Sequence, residues 1–298
     1  MPQALRDSWS RRHAAGHPAG EPFADLRQIA PGVWAVISNP TSGDRTTLAN
    51  GGLIAGSDGV LAIEGFYTAA GAAWLAQRSR ELTGKWPTHV VITHYHADHA
   101  NGVGGYVTAD AHPGIRATGT TRDLVLARNQ PSDDARMALG GAVMLDAATP
   151  TVLDLGKRTV RIVPRSGHTD SDCSVELDDA DVVFCGDLFW NAIFPNYVDA
   201  IPSRLPSAGR ALRRSSTKTS YVPGHGALAT DADLARYLAM IDEVERAARA
   251  AHRQGTPAAT AASAFQLPVS LGEWMMFNKV FYERAFTAWY RELDSGPR

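Results

Sequence analysis

The sequence predicts an α/β fold followed by a helical C-terminal third. Over most of the chain, short β-branched apolar runs bounded by turn residues alternate with segments whose apolar residues have helical spacing. This alternation is typical of proteins in which helices cover β-sheets. From residue 231 onwards only helical periodicity remains. The 298 residues therefore suit one large α/β domain with appended helices.

The first half of this α/β region begins with short strands separated by turns rich in Pro, Gly, Ser and Asp. We predict these strands over residues 32–38, 46–55 and 59–63. A helix over residues 68–82 follows, because Ala72, Leu75 and Ala76 fall on one face and Gly84 is a typical helix stop. The β-branched run 89–93 then predicts a buried strand.

The second half repeats this alternation of strands and helices. We predict strands over residues 115–118, 151–155, 159–163, 173–177 and 182–185, and helices over 121–127 and 133–139. The last two strands are expected to form a hairpin. Side chains alternate along a strand, so Cys173 and Cys185 are expected on opposite faces without a disulfide between them.

The C-terminal third is expected to form helices over residues 231–252, 257–265 and 271–293. In the last helix Trp274, Phe277 and Phe281 share a face. We interpret this aromatic stripe as the surface that packs the helix on the main domain, with a substrate tunnel or a dimer interface as the alternatives. Residues 231–298 are thus predicted to form a helical extension packed on the domain that spans residues 23–230.

Composition excludes several classes of protein. Lys and Arg number 29 against 31 Asp and Glu, so the net charge of −2 argues against binding nucleic acid by bulk electrostatics. Two cysteines are too few for a disulfide scaffold or a Cys-rich zinc module. No apolar run has the length of a membrane span. We interpret residues 1–22 as a flexible arm, and we expect a soluble protein, either cytoplasmic or exported with its leader absent from this chain.

The residues with the clearest chemistry follow the predicted strand 89–93. His94, His96, Asp98 and His99 fall within six residues, where one tight turn can direct several side chains into the same space. Imidazole and carboxylate groups are good ligands for zinc and related metals. The pattern therefore predicts a metal site, because a solvent-exposed histidine-rich loop rarely follows a buried strand in this way.

Three further polar residues are predicted at strand ends. His168 lies in a loop between two strands, Asp187 follows the hairpin strand, and His225 ends another apolar run. Each is a weak signal alone, because Gly-His and Gly-Asp pairs are usually turns. Strand ends are, however, where α/β folds gather their functional groups.

In their order and spacing these residues resemble the signature of the metallo-β-lactamase-fold metallohydrolase superfamily, over roughly residues 25–230. The resemblance implies a four-layer αβ/βα sandwich, here with extra C-terminal helices, and a two-metal site in the 23–230 catalytic domain. Asp187 stands where cysteine-type zinc β-lactamases have Cys, so the ligand set is similar to that of glyoxalase II-like and lactonase-like enzymes. The first metal would be held by His94, His96 and His168, the second by Asp98, His99 and His225, with Asp187 bridging both.

This resemblance also implies a chemistry. Two divalent metal ions, with zinc expected first and iron or manganese as alternatives, would share a hydroxide that attacks an acyl carbonyl of a small organic substrate. Asp98 is the residue expected to orient this nucleophile and to take its proton. β-Lactam, lactone and thioester substrates all remain open. We expect a small-molecule substrate rather than nucleic acid or a membrane, and a monomer or homodimer.

Two other functions remain open at this point. A mononuclear-iron sulfur dioxygenase-like oxidoreductase would use His94, His168 and Asp187 alone, although the complete second ligand set argues against it. A metal-binding relative without catalytic activity is the other alternative.

Residues around the ligands are assigned to supporting roles. Glu64 follows the predicted strand 59–63 and is expected to orient a metal-bound histidine, unless it is an ordinary strand-end carboxylate. Trp190 is expected to form an apolar wall of the substrate pocket, with core packing as an equal alternative. Asn191, Asn196 and Tyr197 are expected to donate hydrogen bonds to an oxyanion.

Overall fold

The computed structural model describes residues 23–39 and 41–295. The predicted arm 1–22 lies outside these residues. Within them, two β-sheets pack face to face and helices cover the outer face of each sheet. The architecture is thus helix, sheet, sheet, helix, which confirms the predicted four-layer sandwich.

The first sheet has seven strands in sequence order. Neighbours are antiparallel from β1 to β4 and parallel from β4 to β7. The strands are β1 (Ala24–Ala30), β2 (Val33–Ser38), β3 (Gly51–Ala55), β4 (Val60–Ile63), β5 (His89–Val91), β6 (Gly114–Thr118) and β7 (Val143–Leu145).

The second sheet has five strands in the order β12-β11-β10-β9-β8. Its longest strand, β11, is buried along its whole length and pairs in parallel with the edge strand β12. The hairpin of β10 and β11 has the expected register, with Leu177 opposite Val182. The strands are β8 (Thr151–Asp154), β9 (Thr159–Pro164), β10 (Cys173–Leu177), β11 (Val182–Trp190) and β12 (Ser220–His225).

Eight α-helices occur in the described part of the chain. Four of them accompany the first sheet: α1 (Ala69–Thr83), α2 (Ala97–Ala100), α3 (Gly119–Arg128) and α4 (Asp133–Gly140). Four accompany the second sheet: α5 (Leu205–Leu212), α6 (Asp231–Arg253), α7 (Ala258–Ala264) and α8 (Val280–Ser295). Short 3₁₀ helices span Val103–Tyr106 and Val269–Leu271.

Three apolar clusters hold these layers together. Between the sheets, Ile54 and Val91 pack with Val175 and Phe184. A second cluster joins the first sheet to its helices, through residues such as Leu75. The third joins the second sheet to its helices, including Val183, Tyr221, Leu238 and Phe286. The C-terminal helices thus share one continuous core with β11 and β12.

Several sequence-based boundaries were wrong for identifiable reasons. The predicted strand 46–55 starts only at Gly51, because the side chains of Thr47 and Asn50 bind Ser38 instead of continuing a ladder. The predicted helix 271–293 begins only at Val280. Gly272 has φ of +75°, and the side chain of Asn278 accepts a hydrogen bond from the amide of Val280, so the helix starts there. Trp274 and Phe277 therefore do not belong to a helical stripe.

Other elements were not predicted: β1, β7, α2 and α5.

The two cysteines are both buried and free, as expected from the strand alternation. No helix among the described residues is long and apolar enough to cross a membrane.

We expect Gly105→Ala to destabilise the protein. A Cβ at Gly105 would overlap the carbonyl oxygen of Ala69, where the 3₁₀ helix Val103–Tyr106 meets the start of α1. Overpacking of this kind costs about 1–3 kcal/mol in the free energy of unfolding. Urea denaturation measures this loss. Gly119→Ala is the matched control, since a Cβ there meets no atom within 4 Å. Equal stability of the two variants would contradict the prediction.

Candidate metal centre

All seven predicted ligand residues lie at the strand ends on one edge of the two sheets. His94 and His96 follow β5, and Asp98 and His99 lie in the short helix α2. Another three come from the second sheet, namely His168 in the β9–β10 loop, Asp187 in β11 and His225 at the end of β12. The structure brings these residues together into two groups.

The first group consists of three histidines and one carboxylate: His94, His96, His168 and Asp187. Nδ1 of His96 lies 3.1 Å from Nε2 of His94 and 2.9 Å from Nε2 of His168. Oδ2 of Asp187 lies 3.1 Å from Nε2 of His168. One ligand atom from each of the four residues lies within 4.8 Å of the others, so a single metal ion could contact all four.

The second group consists of Asp98, His99 and His225. Nε2 of His225 lies 3.3 Å from Oδ2 of Asp98. The other carboxylate oxygen of Asp187, Oδ1, completes this group, at 3.1 Å from Nε2 of His99 and 3.4 Å from Nε2 of His225. Asp187 therefore presents one oxygen to each group.

The space beside Asp187 depends on Gly224 of β12. A Cβ at this position would overlap Oδ1 of Asp187 and the backbone of Gly186. Gly186 itself has φ of +53°, and the pairing of β11 with β12 shifts register on both sides of it. These two glycines let the carboxylate lie between the strands and reach both groups.

The donor atoms fit divalent metal ions. Nε2 of His99 and Oδ1 of Asp187 are buried and have no hydrogen-bond partner among the described residues. Buried polar atoms without partners are costly, and they cluster here where their lone pairs face one another. Imidazole nitrogens and carboxylate oxygens are ligands that zinc, iron and manganese accept. A metal ion in each group would give these atoms their missing partner.

The charges of the site support the same conclusion. Burial lowers the pKa of His94 well below its usual value. Burial also opposes protonation of His99, but the carboxylates of Asp187, Glu64 and Asp98 outweigh it and raise the pKa of His99 well above its usual value. Burial would likewise raise the pKa of Asp187, yet the surrounding histidines hold it well below its usual range. The buried carboxylates are thus compensated by positive charge on the neighbouring histidines, a role that divalent metal ions bound there would take over.

Glu64 contacts the second group through His99. Its Oε1 lies 3.0 Å from Nδ1 of His99 and accepts a hydrogen bond from the hydroxyl of Thr93 at 2.6 Å. The hydroxyl of Tyr106 donates to the backbone carbonyl of Glu64 at 2.8 Å, and Glu64 has φ of +79°. A buried carboxylate held in this strained backbone fixes the ring of His99, so that its Nε2 faces the metal position.

Sequence reasoning missed a second carboxylate of this kind, Asp199. Its Oδ2 lies 3.1 Å from Nε2 of His96, and its Oδ1 lies 3.3 Å from Nη1 of Arg128. Hydrogen bonds from His96 hold the pKa of Asp199 well below its usual range. Asp199 lies in the loop after β11, twelve positions beyond Asp187, and no local motif marks it.

A cleft of about 370 Å³ opens onto the ligand residues. Trp190 and Asn196 line it, as predicted for the substrate pocket. The Trp190 ring lies against His225, with centroids 4.1 Å apart. The remaining lining residues are Tyr95, His96, Ala97, Asp98, Arg128, Asn129, His168, Asp187, Val198 and Asp199.

Two residues predicted for this pocket lie elsewhere. The side-chain nitrogen Nδ2 of Asn191 donates to the carbonyls of Ala227 and Leu228, so Asn191 supports the loop after His225. Tyr197 is buried and lines a neighbouring cavity beside α8. The alternation of side chains beyond Trp190 was not predictable, because the chain leaves the strand there and Ala192 adopts φ of +57°.

A sequence profile described as the Metallo-beta-lactamase superfamily matches residues 47–236, which is well over half of the chain. The chain belongs to this superfamily. Most members of the metallo-β-lactamase superfamily are hydrolytic enzymes. The matched residues include both groups of candidate ligands. A search of curated proteins found no match.

Solved structures of the superfamily show the same fold. A metallo-beta-lactamase from Pontibacter korlensis has 20% identity and a TM-score of 0.60, over 74% of this chain and 99% of its own. The metallo-beta-lactamase FIM-1 from Pseudomonas aeruginosa, in a mono-zinc form, has 19% identity and a TM-score of 0.60, over 74% of this chain and 95% of its own.

A third structure extends the similarity further along the chain. The stereoselective inverting sec-alkylsulfatase Pisa1 from Pseudomonas sp. has 17% identity and a TM-score of 0.71. The match covers 91% of this chain and 50% of the alkylsulfatase, so this chain spans half the length of that protein. Residues 237–298 are about a fifth of the chain, so the match must include part of the C-terminal helices.

We expect Glu64→Gln to weaken binding of one of two metal ions. Loss of the charge that orients His99 should lower affinity at the second group about 10–100-fold, while the first group keeps its ligands and their orientation. Zinc titration against a chromogenic chelator measures the two affinities. Glu81→Gln on the exposed side of α1 is the control. Two unchanged affinities in Glu64→Gln would show that Glu64 does not act through His99.

Proposed function

We propose that this protein is a metal-dependent hydrolase with two metal ions, which opens an acyl bond in a small organic molecule. The observation that supports this most directly is the position of Asp187, whose two oxygens face two separate groups of ligands. A single-metal enzyme would need only the first group. The completeness of the second group also argues against a mononuclear oxygenase and against a relative without activity.

Several side chains of the chain have definable roles in this reaction. Two divalent metal ions bound here would lower the pKa of a shared water and polarise the substrate oxygen. Asp98 lines the cleft, and although burial opposes its ionisation, His99 and His225 hold its pKa well below the usual range. Asp98 is therefore ionised at neutral pH, as a metal ligand must be, and we assign it the further role of orienting the nucleophile and taking its proton. Trp190 offers an apolar surface to the substrate.

We propose zinc as the native metal. Imidazole nitrogens are three of the four donors in the first group and two of the four in the second, and they suit zinc well, whereas iron and manganese also accept the bridging carboxylate. Elemental analysis of protein purified without added metal would identify the ion. We propose a small-molecule substrate and a monomeric or homodimeric protein.

A sulfate ester is a second candidate substrate, besides β-lactams, lactones and thioesters. The similarity that favours it is the match to the alkylsulfatase, which extends into the C-terminal helices. Attack on a sulfate ester would use the same cleft and the same ligand residues.

We expect zinc-loaded protein to hydrolyse at least one substrate of a panel comprising a chromogenic β-lactam, a lactone, a thioester and a secondary alkyl sulfate. Chelator treatment should abolish this activity, and zinc should restore it. Asp98→Asn should lower kcat by about 100-fold or more, because a general base typically contributes that much. Asp110→Asn, a change in an exposed turn, is the control.

Three outcomes would contradict the proposal. Equal activity with and without chelator would exclude metal catalysis. Two bound metal ions without turnover of any panel member would favour a non-catalytic protein, whereas oxygen consumption with a persulfide substrate would favour the sulfur dioxygenase-like alternative.

A further inference from the structure

Two chemically different surfaces lie beside the two ligand groups. Beside the first ligand group, Arg128 and Asn129 line the cleft next to Asp199. Beside the second group, aromatic rings of Trp190 and Phe277 lie near His225. A molecule bound over both groups would therefore meet a cation on one side and apolar rings on the other.

Arg128, the last residue of α3, has its side chain 55% exposed. Its Nη1 lies 3.1 Å from the hydroxyl of Tyr95 and 3.3 Å from Oδ1 of Asp199, and its guanidinium lies 5.6 Å from the centroid of the Tyr95 ring. The contacts with the Tyr95 hydroxyl and with Asp199 both use Nη1. Among the described residues no partner approaches Nε or Nη2, which are the donors left to bind an anion.

The side-chain charges of the site bear on how Arg128 can act. Within the described part of the chain it is the only lysine or arginine that lines the cleft. Metal-bound histidines are neutral. Two divalent ions would balance the carboxylates of the site, which are Glu64, Asp98, Asp187 and Asp199. The shared hydroxide of the proposed reaction offsets the charge of Arg128 in the total, but Arg128 still provides local positive charge on its side of the cleft, where an anionic group of a ligand can bind.

The apolar surface comes from the C-terminal extension. Phe277 is 43% exposed, and its ring centroid lies 6.0 Å from that of Trp190 and 6.1 Å from that of His225. Two backbone hydrogen bonds hold the chain two residues before Phe277. The amide of Met275 donates to the carbonyl of Ala192 at 2.9 Å, and the amide of Phe194 donates to the carbonyl of Met275 at 2.8 Å. The extension thus places an exposed aromatic ring at the edge of the ligand groups.

We propose that the site selects substrates that carry both an anionic group and an apolar group, with Arg128 binding the former and Phe277 together with Trp190 contacting the latter. This inference rests on the proposed function and narrows its substrate class. Besides Trp190, it assigns substrate recognition to two further residues outside the ligand set, one on α3 and one in the C-terminal extension.

Calorimetric binding of octanoate, octanamide and acetate to zinc-loaded protein tests Arg128 without any turnover. We expect Arg128→Gln to weaken octanoate binding about tenfold, because an exposed charge-assisted hydrogen bond is lost, and to leave octanamide unchanged. Arg128→Lys should recover part of the affinity. Arg122→Gln on the same helix, whose guanidinium contacts Asp123, is the matched control and should bind like wild type. Zinc content must be equal in all variants.

The same probes test Phe277. We expect Phe277→Ala to weaken octanoate and octanamide about fivefold and to leave acetate unchanged, because only the longer ligands bury apolar surface there. Val269→Ala is the control, since Val269 is an exposed apolar residue of the same extension.

Either of two results would overturn the inference. These are octanoate affinity in Arg128→Gln equal to that of wild type, and no octanoate binding by wild-type protein. The outcome is separable from that of the proposed function. Selective binding without hydrolysis of any panel substrate would support the proposed recognition by Arg128 and contradict the proposed hydrolase. Hydrolysis of a panel substrate, together with unchanged octanoate binding in Arg128→Gln, would support the hydrolase and contradict the recognition by Arg128.

Discussion

The structure depends on burying a carboxylate, Asp187, between histidines that come from both sheets. Its two oxygens lie within 3.4 Å of His168 on one side and of His99 and His225 on the other. Such a group is costly unless opposite charge or a metal compensates it. The strand ends, the two glycines beside Asp187 and the carboxylates behind the histidines all serve to hold this arrangement. Stability and chemistry are therefore coupled at one point.

The carboxylates behind the histidines differ in how they are held. Glu64 is buried and fixed by Thr93 and Tyr106, and it contacts His99 of the second group. Asp199 is partly exposed, lies on a loop and contacts His96 of the first group. The second group is thus supported by rigid core elements, and the first by a segment that also borders the cleft. A molecule that binds beside Asp199 and moves its carboxylate would therefore also change the orientation of the His96 ring.

Sequence alone predicted the fold class and all seven residues of the two groups, because these residues share short motifs at the ends of apolar strands. It also predicted Glu64, which follows β4 directly. It missed Asp199 and Arg128, and it placed Asn191 and Tyr197 in the wrong surroundings. Those residues lie on loops or at a helix end, where no periodicity indicates direction and contacts depend on the tertiary fold. The late start of α8 was missed because aromatic spacing outweighed the signals of Gly272 and Asn278.

The late start of α8 leaves a non-helical segment that lies beside the candidate ligands in space but far from them in the sequence. Residues 272–279 form no helix, and the backbone pairing of Met275 with Ala192 and Phe194 ties them to the segment that follows β11, the strand that contains Asp187. The ligand set lies entirely within residues 94–225, whereas one wall beside it comes from residue 277. Under the recognition proposed above, changes in this distant segment would alter which molecules bind while the candidate ligand residues stay the same.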